Sequence, residues 1–196
     1  YSNTYWLESH LDWHGLLIEA QPENAQRLKQ NRPKARIFEQ AVCDDGVGFL
    51  EFIGQGGPVS GVVKTMSDTY KDVWHPPDKA EKTYLVPCRP IGLMIKEAGL
   101  KHIDYFSLDV EGAELQVLQT MAWEIPVCVW TIELDGHNGT KDALVTALLL
   151  RHGYIEDFAI DMNNHVFKSR DLKSCGTRVP SHWRHVGQWL IVVVLG

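Results

Sequence analysis

The segment Ile103 to Glu114, IDYFSLDVEGAE, constrains the fold more than any other part of the chain. Ile103, Tyr105, Phe106 and Leu108 make a nearly continuous apolar run, which suits a strand covered on both faces better than one with a wet side. Gly112 permits a sharp turn, and the AELQVLQTM that follows sets Leu115, Val117, Leu118 and Met121 close to helical spacing. Strand, turn and helix in that order predict one unit of an open parallel sheet, where strand ends and helix N-termini line the ligand crevice. Asp109 and Glu111 therefore fall where such folds do chemistry. Glu114 is expected only to complement the dipole of the helix it opens.

The same logic runs along the chain. GLLIEA, ending in Glu19, predicts a strand before a helix that Pro22 starts and Asn31 ends. A carboxylate there, after the second strand of a nucleotide-binding sheet, is placed to accept hydrogen bonds from ribose hydroxyls. Ala35 to Val42 predicts a third strand, with Cys43, Asp44 and Asp45 at its end and a glycine turn beyond. Asp44 there suits either an adenine edge or ordinary turn chemistry. Phe49 to Ile53 reads as a short strand. GQGGPVSG lacks the lysine and spacing of a phosphate loop and is expected to be a flexible connection.

Val62 to Lys82 is irregular and predicts a long excursion whose Met66, Tyr70, Trp74 and His75 either contact substrate or pack the loop down. Thr83 to Pro87 and Ile91 to Ala98 read as strand and helix. VCVWTIEL predicts a fifth buried strand ending at Glu133, with Asp135 and His137 close behind. Thr140 to His152 is a helix, and Tyr154 to Ile160 with His165 to Lys168 resembles a hairpin. At the front, Ser2 or Asn3 caps an expected helix that buries Tyr5, Trp6, Leu7 and Leu11, and the chain reads as starting inside a domain.

Composition sets the class. With 196 residues, 44% hydrophobic and 22% charged, one domain can bury its core without disulfides. A charge of −6 and a pI near 5.8 argue against nucleic acid as the partner. Four dispersed cysteines show no zinc spacing; Cys43 and Cys128 read as buried hydrophobes, and a disulfide is possible but not indicated. The apolar run Leu190 to Leu195 is too short to cross a bilayer and reads as an edge strand, the start of a truncated span, or sequence outside the domain.

The blocks YSNTYWLE, GLLIEAQPEN, QAV with its following acid and glycine, and IDYFSLDVEGAELQVL together resemble the FkbM-type methyltransferase domain, over about residues 1 to 168. The resemblance implies an α/β class I (Rossmann-like) fold: a mostly parallel sheet, usually seven-stranded with a reversed last strand, and helices on both faces. It implies S-adenosylmethionine as cofactor and methyl transfer to a hydroxyl of a small molecule or glycan. It assigns Asp109 and Glu111 to catalysis, Glu19, Cys43, Asp44 and Asp109 to the cofactor, and Glu133 and His137 to substrate.

Family members carry a first strand and glycine-rich turn just upstream of the Ser-Asn-Thr segment. This chain resembles an incomplete domain at residues 1 to 168, with that strand and loop missing, an open slot in the sheet, and a tail at 169 to 196. The YSNTYWLE and DYFSLDVEGAE blocks also resemble Star-like proteins of arthropods, which implies the alternative of a non-catalytic module in endoplasmic reticulum export, with membrane attachment elsewhere in the protein and an endomembrane rather than cytoplasmic setting. A hydrolase using Asp109, Glu133, Asp135 and His137 as metal ligands is a third reading without a recognisable ligand pattern, and no metal is expected.

Overall fold

A computed structural model describes residues 4–54, 60–66, 68–79, 81–134, 136–160 and 163–171 and the backbone of 189–194. Six helices and eleven strands follow one another there, in two mixed sheets. The chain opens with α1 (Tyr5–Leu11), β1 (His14–Glu19) and α2 (Pro22–Asn31), and β2 (Arg36–Phe38) then lies parallel to β1. After β2 the path breaks at Glu39 and Gln40, so the single strand expected over Ala35 to Val42 is two. The second piece, β3 (Ala41–Val42), leaves for the smaller sheet, ordered β3-β6-β4-β5 with β4 (Phe49–Ile53), β5 (Gly61–Val62) and β6 (Tyr84–Arg89).

The excursion expected to be irregular holds β5, α3 (Asp68–Trp74) and a 3-10 turn at Pro77–Lys79. Its Tyr70 is buried, because the helix turns that ring inward. Residues 55 to 59 of the glycine-rich connection lie outside the described residues, as do Ser2, Asn3 and Asp135.

The larger sheet is completed by β7 (Ile103–Asp109), β8 (Val127–Glu133), β9 (Tyr154–Ala159), β10 (Asn164–Ser169) and β11 (Trp189–Val194), in the order β2-β1-β11-β7-β8-β10-β9. β2, β1, β11, β7 and β8 pair in parallel, and β10 runs against both its neighbours. α4 (Ile91–Glu97), α5 (Glu114–Gln119) and α6 (Gly139–Arg151) complete the element order. The slot expected to stand open between β1 and β7 is filled by β11, and the tail strand is therefore interior rather than an edge. Its apolar LIVVV suits a place paired on both sides.

Both faces of the sheet are covered. Leu16 and Ile18 of β1 join the large core with Met94 of α4, Val117 of α5 and Leu149 of α6, whereas Leu17 points to a second cluster with Leu7 and Leu28. The expected inner side of α1 is corrected here: Tyr5 and Trp6 are about half exposed, and Glu8 is the buried residue. The reason is Arg32, itself buried, whose guanidinium lies 2.7 Å from the Glu8 carboxylate. No helix among the described residues is long and apolar enough to cross a membrane.

Candidate active site

β7, buried at Ile103 and from Phe106 to Leu108, ends at Asp109, and the turn at Glu111 and Gly112 follows before α5. Glu111 sits at φ +50° and Gly112 at φ +98°, so the turn holds one non-glycine residue in the left-handed region. Glu114 clamps this turn from the first turn of α5. Its Oε1 accepts from the Gly112 N–H at 3.1 Å and the Val110 N–H at 3.4 Å, and its other oxygen lies 2.5 Å from Lys141 Nζ of α6. Both side chains of that ion pair are nearly sealed from solvent, at 1% and 9% exposure. Glu114 is thus more than a dipole partner, and Lys141, which the sequence reading passed over, is its counter-charge.

Strand register carries the acids to one rim. Glu19 is level with Val194, Val194 with Asp109, and Leu108 with Ile132, which puts Asp109 level with Glu133. At about 4.8 Å per strand, Glu19 lies roughly 10 Å from Asp109 along the row. Asp109, Glu111 and Glu133 each bring a carboxylate oxygen within 4.8 Å of the others. Glu19 is on the same rim and outside that cluster.

Electrostatics separates the roles. Burial pushes the Glu133 carboxyl up to about 9, helped by its hydrogen bond to Asp109 and the nearby charge of Asp109 and Glu111. The Asp109–Glu133 pair therefore favours holding a proton. Glu111 accepts a 2.8 Å hydrogen bond from the Tyr70 hydroxyl, whose own ionisation is driven far upward, first by burial and then by that bond. Close approach of the excursion makes this contact possible: a Cβ on Gly61 would sit 2.8 Å from Met66 and 3.3 Å from Glu111. The Glu19 carboxyl is 2% exposed and is raised to about 8 by burial, with the Gln21 and Ala20 N–H groups as the opposing influence. Gln21 in turn donates its side-chain amide to Ser60 Oγ.

Other expected site residues are dispersed. Cys43 is buried and joined to Cys88 by a disulfide with Cα atoms 5.6 Å apart, so its thiol is unavailable to a ligand. Cys43 is buried as expected, and the disulfide left possible by the sequence is formed where β3 and β6 pair in parallel, with Ala41 opposite Cys88. Asp44 is exposed in a turn, where its carbonyl accepts from Val47. His137 is exposed, edge-on to Tyr70 at 6.3 Å, and borders a recess with Glu111, Thr65 and Lys141. Tyr70 was one of four candidates on the excursion; nothing in the local pattern distinguished it.

No curated protein and no solved structure matches the chain. The Methyltransferase FkbM domain matches residues 1–156, the stretch that contains every acid of the rim. By that match over most of its length, the chain belongs to the FkbM methyltransferase domain family.

Proposed function

We propose that the chain is an S-adenosylmethionine-dependent methyltransferase of the class I type, acting on a hydroxyl oxygen at the rim of Glu19, Asp109, Glu111 and Glu133. The observation that carries this is the shared register of Glu19, Asp109 and Glu133 at the carboxyl ends of parallel strands. The strand order, with a single reversed strand beside β8, supports the class I arrangement.

The residues present fit such a cofactor. Glu19 is a buried acceptor whose opposing groups are two backbone N–H donors rather than a cation, which suits the paired hydroxyls of a ribose. The three clustered carboxyls suit the positive charge of a sulfonium. When bound, S-adenosylmethionine would supply an electrophilic methyl group, its carbon–sulfur bond breaking to leave the neutral thioether as the new oxygen–carbon bond forms. Asp109 accepts from Glu133 and retains lone pairs to take the acceptor's hydroxyl proton as the oxygen–carbon bond forms. Glu133, held neutral by burial, hydrogen-bonds Asp109 without adding a further charge to the cluster. Tyr70 fixes the Glu111 carboxylate beside the recess, and burial of that ring limits water there.

Calorimetry with S-adenosylmethionine and a transfer assay with labelled methyl donor test the reading together. Asp109→Asn removes the proton acceptor while keeping size, so transfer falls by about 100-fold or more with thermal unfolding unchanged. Turnover equal to wild type overturns the assignment of Asp109. Absence of cofactor binding overturns the enzymatic reading and leaves a non-catalytic module.

A further inference from the structure

Two features that methyl transfer leaves unused point the same way. The first is the tripeptide Asn138-Gly139-Thr140, in the loop that joins β8 to α6. Asn-x-Ser/Thr with any middle residue except proline is the acceptor pattern for an N-linked glycan. Of the chain's asparagines, only Asn138 has a serine or threonine two positions on. All three residues of the tripeptide are exposed. A Cβ added at Gly136 or Gly139 would meet no atom within 4 Å, so the loop has open space for a bulky substituent. Asn138 also caps α6, its Oδ1 accepting from the Lys141 N–H at 3.1 Å. The cap uses the side-chain oxygen, whereas a glycan attaches through Nδ2, so the two roles occupy different atoms. The second feature is the Cys43–Cys88 disulfide, whose cysteines are both buried and therefore suit a structural bridge rather than a reactive pair. Such bridges persist in oxidising compartments, among them the endoplasmic reticulum lumen, and are rare in the reducing cytosol.

We propose that Asn138 is an N-glycosylation site and that the domain matures in the oxidising lumen of a secretory pathway. The donor is an oligosaccharide linked to a polyprenyl diphosphate. Asn138 Nδ2 bonds to its anomeric carbon and gives up one amide proton to a base, while the bond from that carbon to the diphosphate oxygen breaks and the lipid diphosphate leaves. Asn138 lines the recess that Glu111, Tyr70 and His137 border, so the first sugar adjoins the candidate site. The Oδ1 cap on Lys141 N–H holds the asparagine at the start of α6, which fixes where the glycan leaves the surface.

The test sends the whole chain into the secretory lumen of cultured animal cells behind a cleavable leader. Treatment with peptide N-glycosidase is expected to remove a single step of gel mobility, and peptide mass spectrometry in heavy-oxygen water should place the isotope label at position 138. Asn138→Asp keeps an oxygen for the cap, and Thr140→Ala keeps Asn138 itself; each is expected to abolish the step. Thermal unfolding checks that both variants fold, and the pair differ enough that loss of one to misfolding leaves the other to be read. An unmodified Asn138 in the lumenal protein, or a step that survives in both variants, overturns the proposal. Native protein whose Cys43 and Cys88 are recovered as thiols overturns it as well. Methyl transfer stands or falls separately: a glycan at Asn138 on a chain that binds no S-adenosylmethionine upholds this site, and cofactor binding by an unglycosylated lumenal chain sinks this site alone.

Discussion

Replacing Glu19 by Gln should change how stability depends on pH. The carboxyl is raised from an ordinary 4.5 to about 8 by burial, so the folded protein holds a proton that the unfolded chain releases between those values. Stability from this group is fully present below pH 4.5, falls by about 1.4 kcal/mol per pH unit through that window, and is gone above pH 8. Over the interval the loss is roughly 5 kcal/mol, which solvent screening reduces little at 2% exposure. A loss of that size rivals the whole stability of many domains. Gln keeps an oxygen for the Gln21 N–H, which now bonds Glu19 Oε1 at 2.7 Å, and carries no ionisable proton. Urea unfolding at half-unit steps from pH 4.5 to 9 measures the difference. Wild type should lose stability steeply toward the alkaline side, and Glu19→Gln should retain only the shallower decline left by Glu133. Parallel profiles for the two proteins refute the assignment of a buried, protonated Glu19.

Three further outcomes follow from packing. Lys141→Met strands a buried Glu114 and should cost about 3–5 kcal/mol by urea unfolding, with the Glu114→Gln/Lys141→Met double variant recovering most of it; additive losses argue against a coupled pair. Ile191→Pro removes a backbone donor inside a strand paired on both sides, where Ile191 is level with Leu16 and Phe106, and should lower stability by about 3 kcal/mol or more. An unshifted thermal midpoint rejects the interior placement of β11. Reducing Cys43–Cys88, which closes a separation of 45 residues, should cost about 4 kcal/mol through loop entropy; equal unfolding midpoints with and without dithiothreitol contradict that.

Local pattern carried much of the fold and part of the site. β7, its turn and α5 were legible because apolar continuity, a glycine and helical spacing follow each other within 19 residues, Ile103 to Met121. Asp109 and Glu133 were legible as strand-end acids for the same reason. What sequence could not supply was the partner across space. Lys141 meets Glu114 from 27 residues away, and Cys43 meets Cys88 only because β3 departs for the smaller sheet. Glu8 faces inward because Arg32 of a different segment does, which reverses the apolar face that Tyr5 and Trp6 suggest. The destination of LIVVV was open for a related reason: an apolar strand identifies a two-sided place in a sheet without naming its neighbours.

Pairing His14 with Trp189 also has a temporal meaning. During synthesis β1 emerges about 170 residues before β11, at rates of roughly 5–20 residues per second. For roughly 10–30 seconds a mostly apolar ribbon is left unhybridised on one border, open to foreign chains and to holdase chaperones. A late, long-range closure of this kind makes the yield of folded protein sensitive to crowding and to the speed of translation.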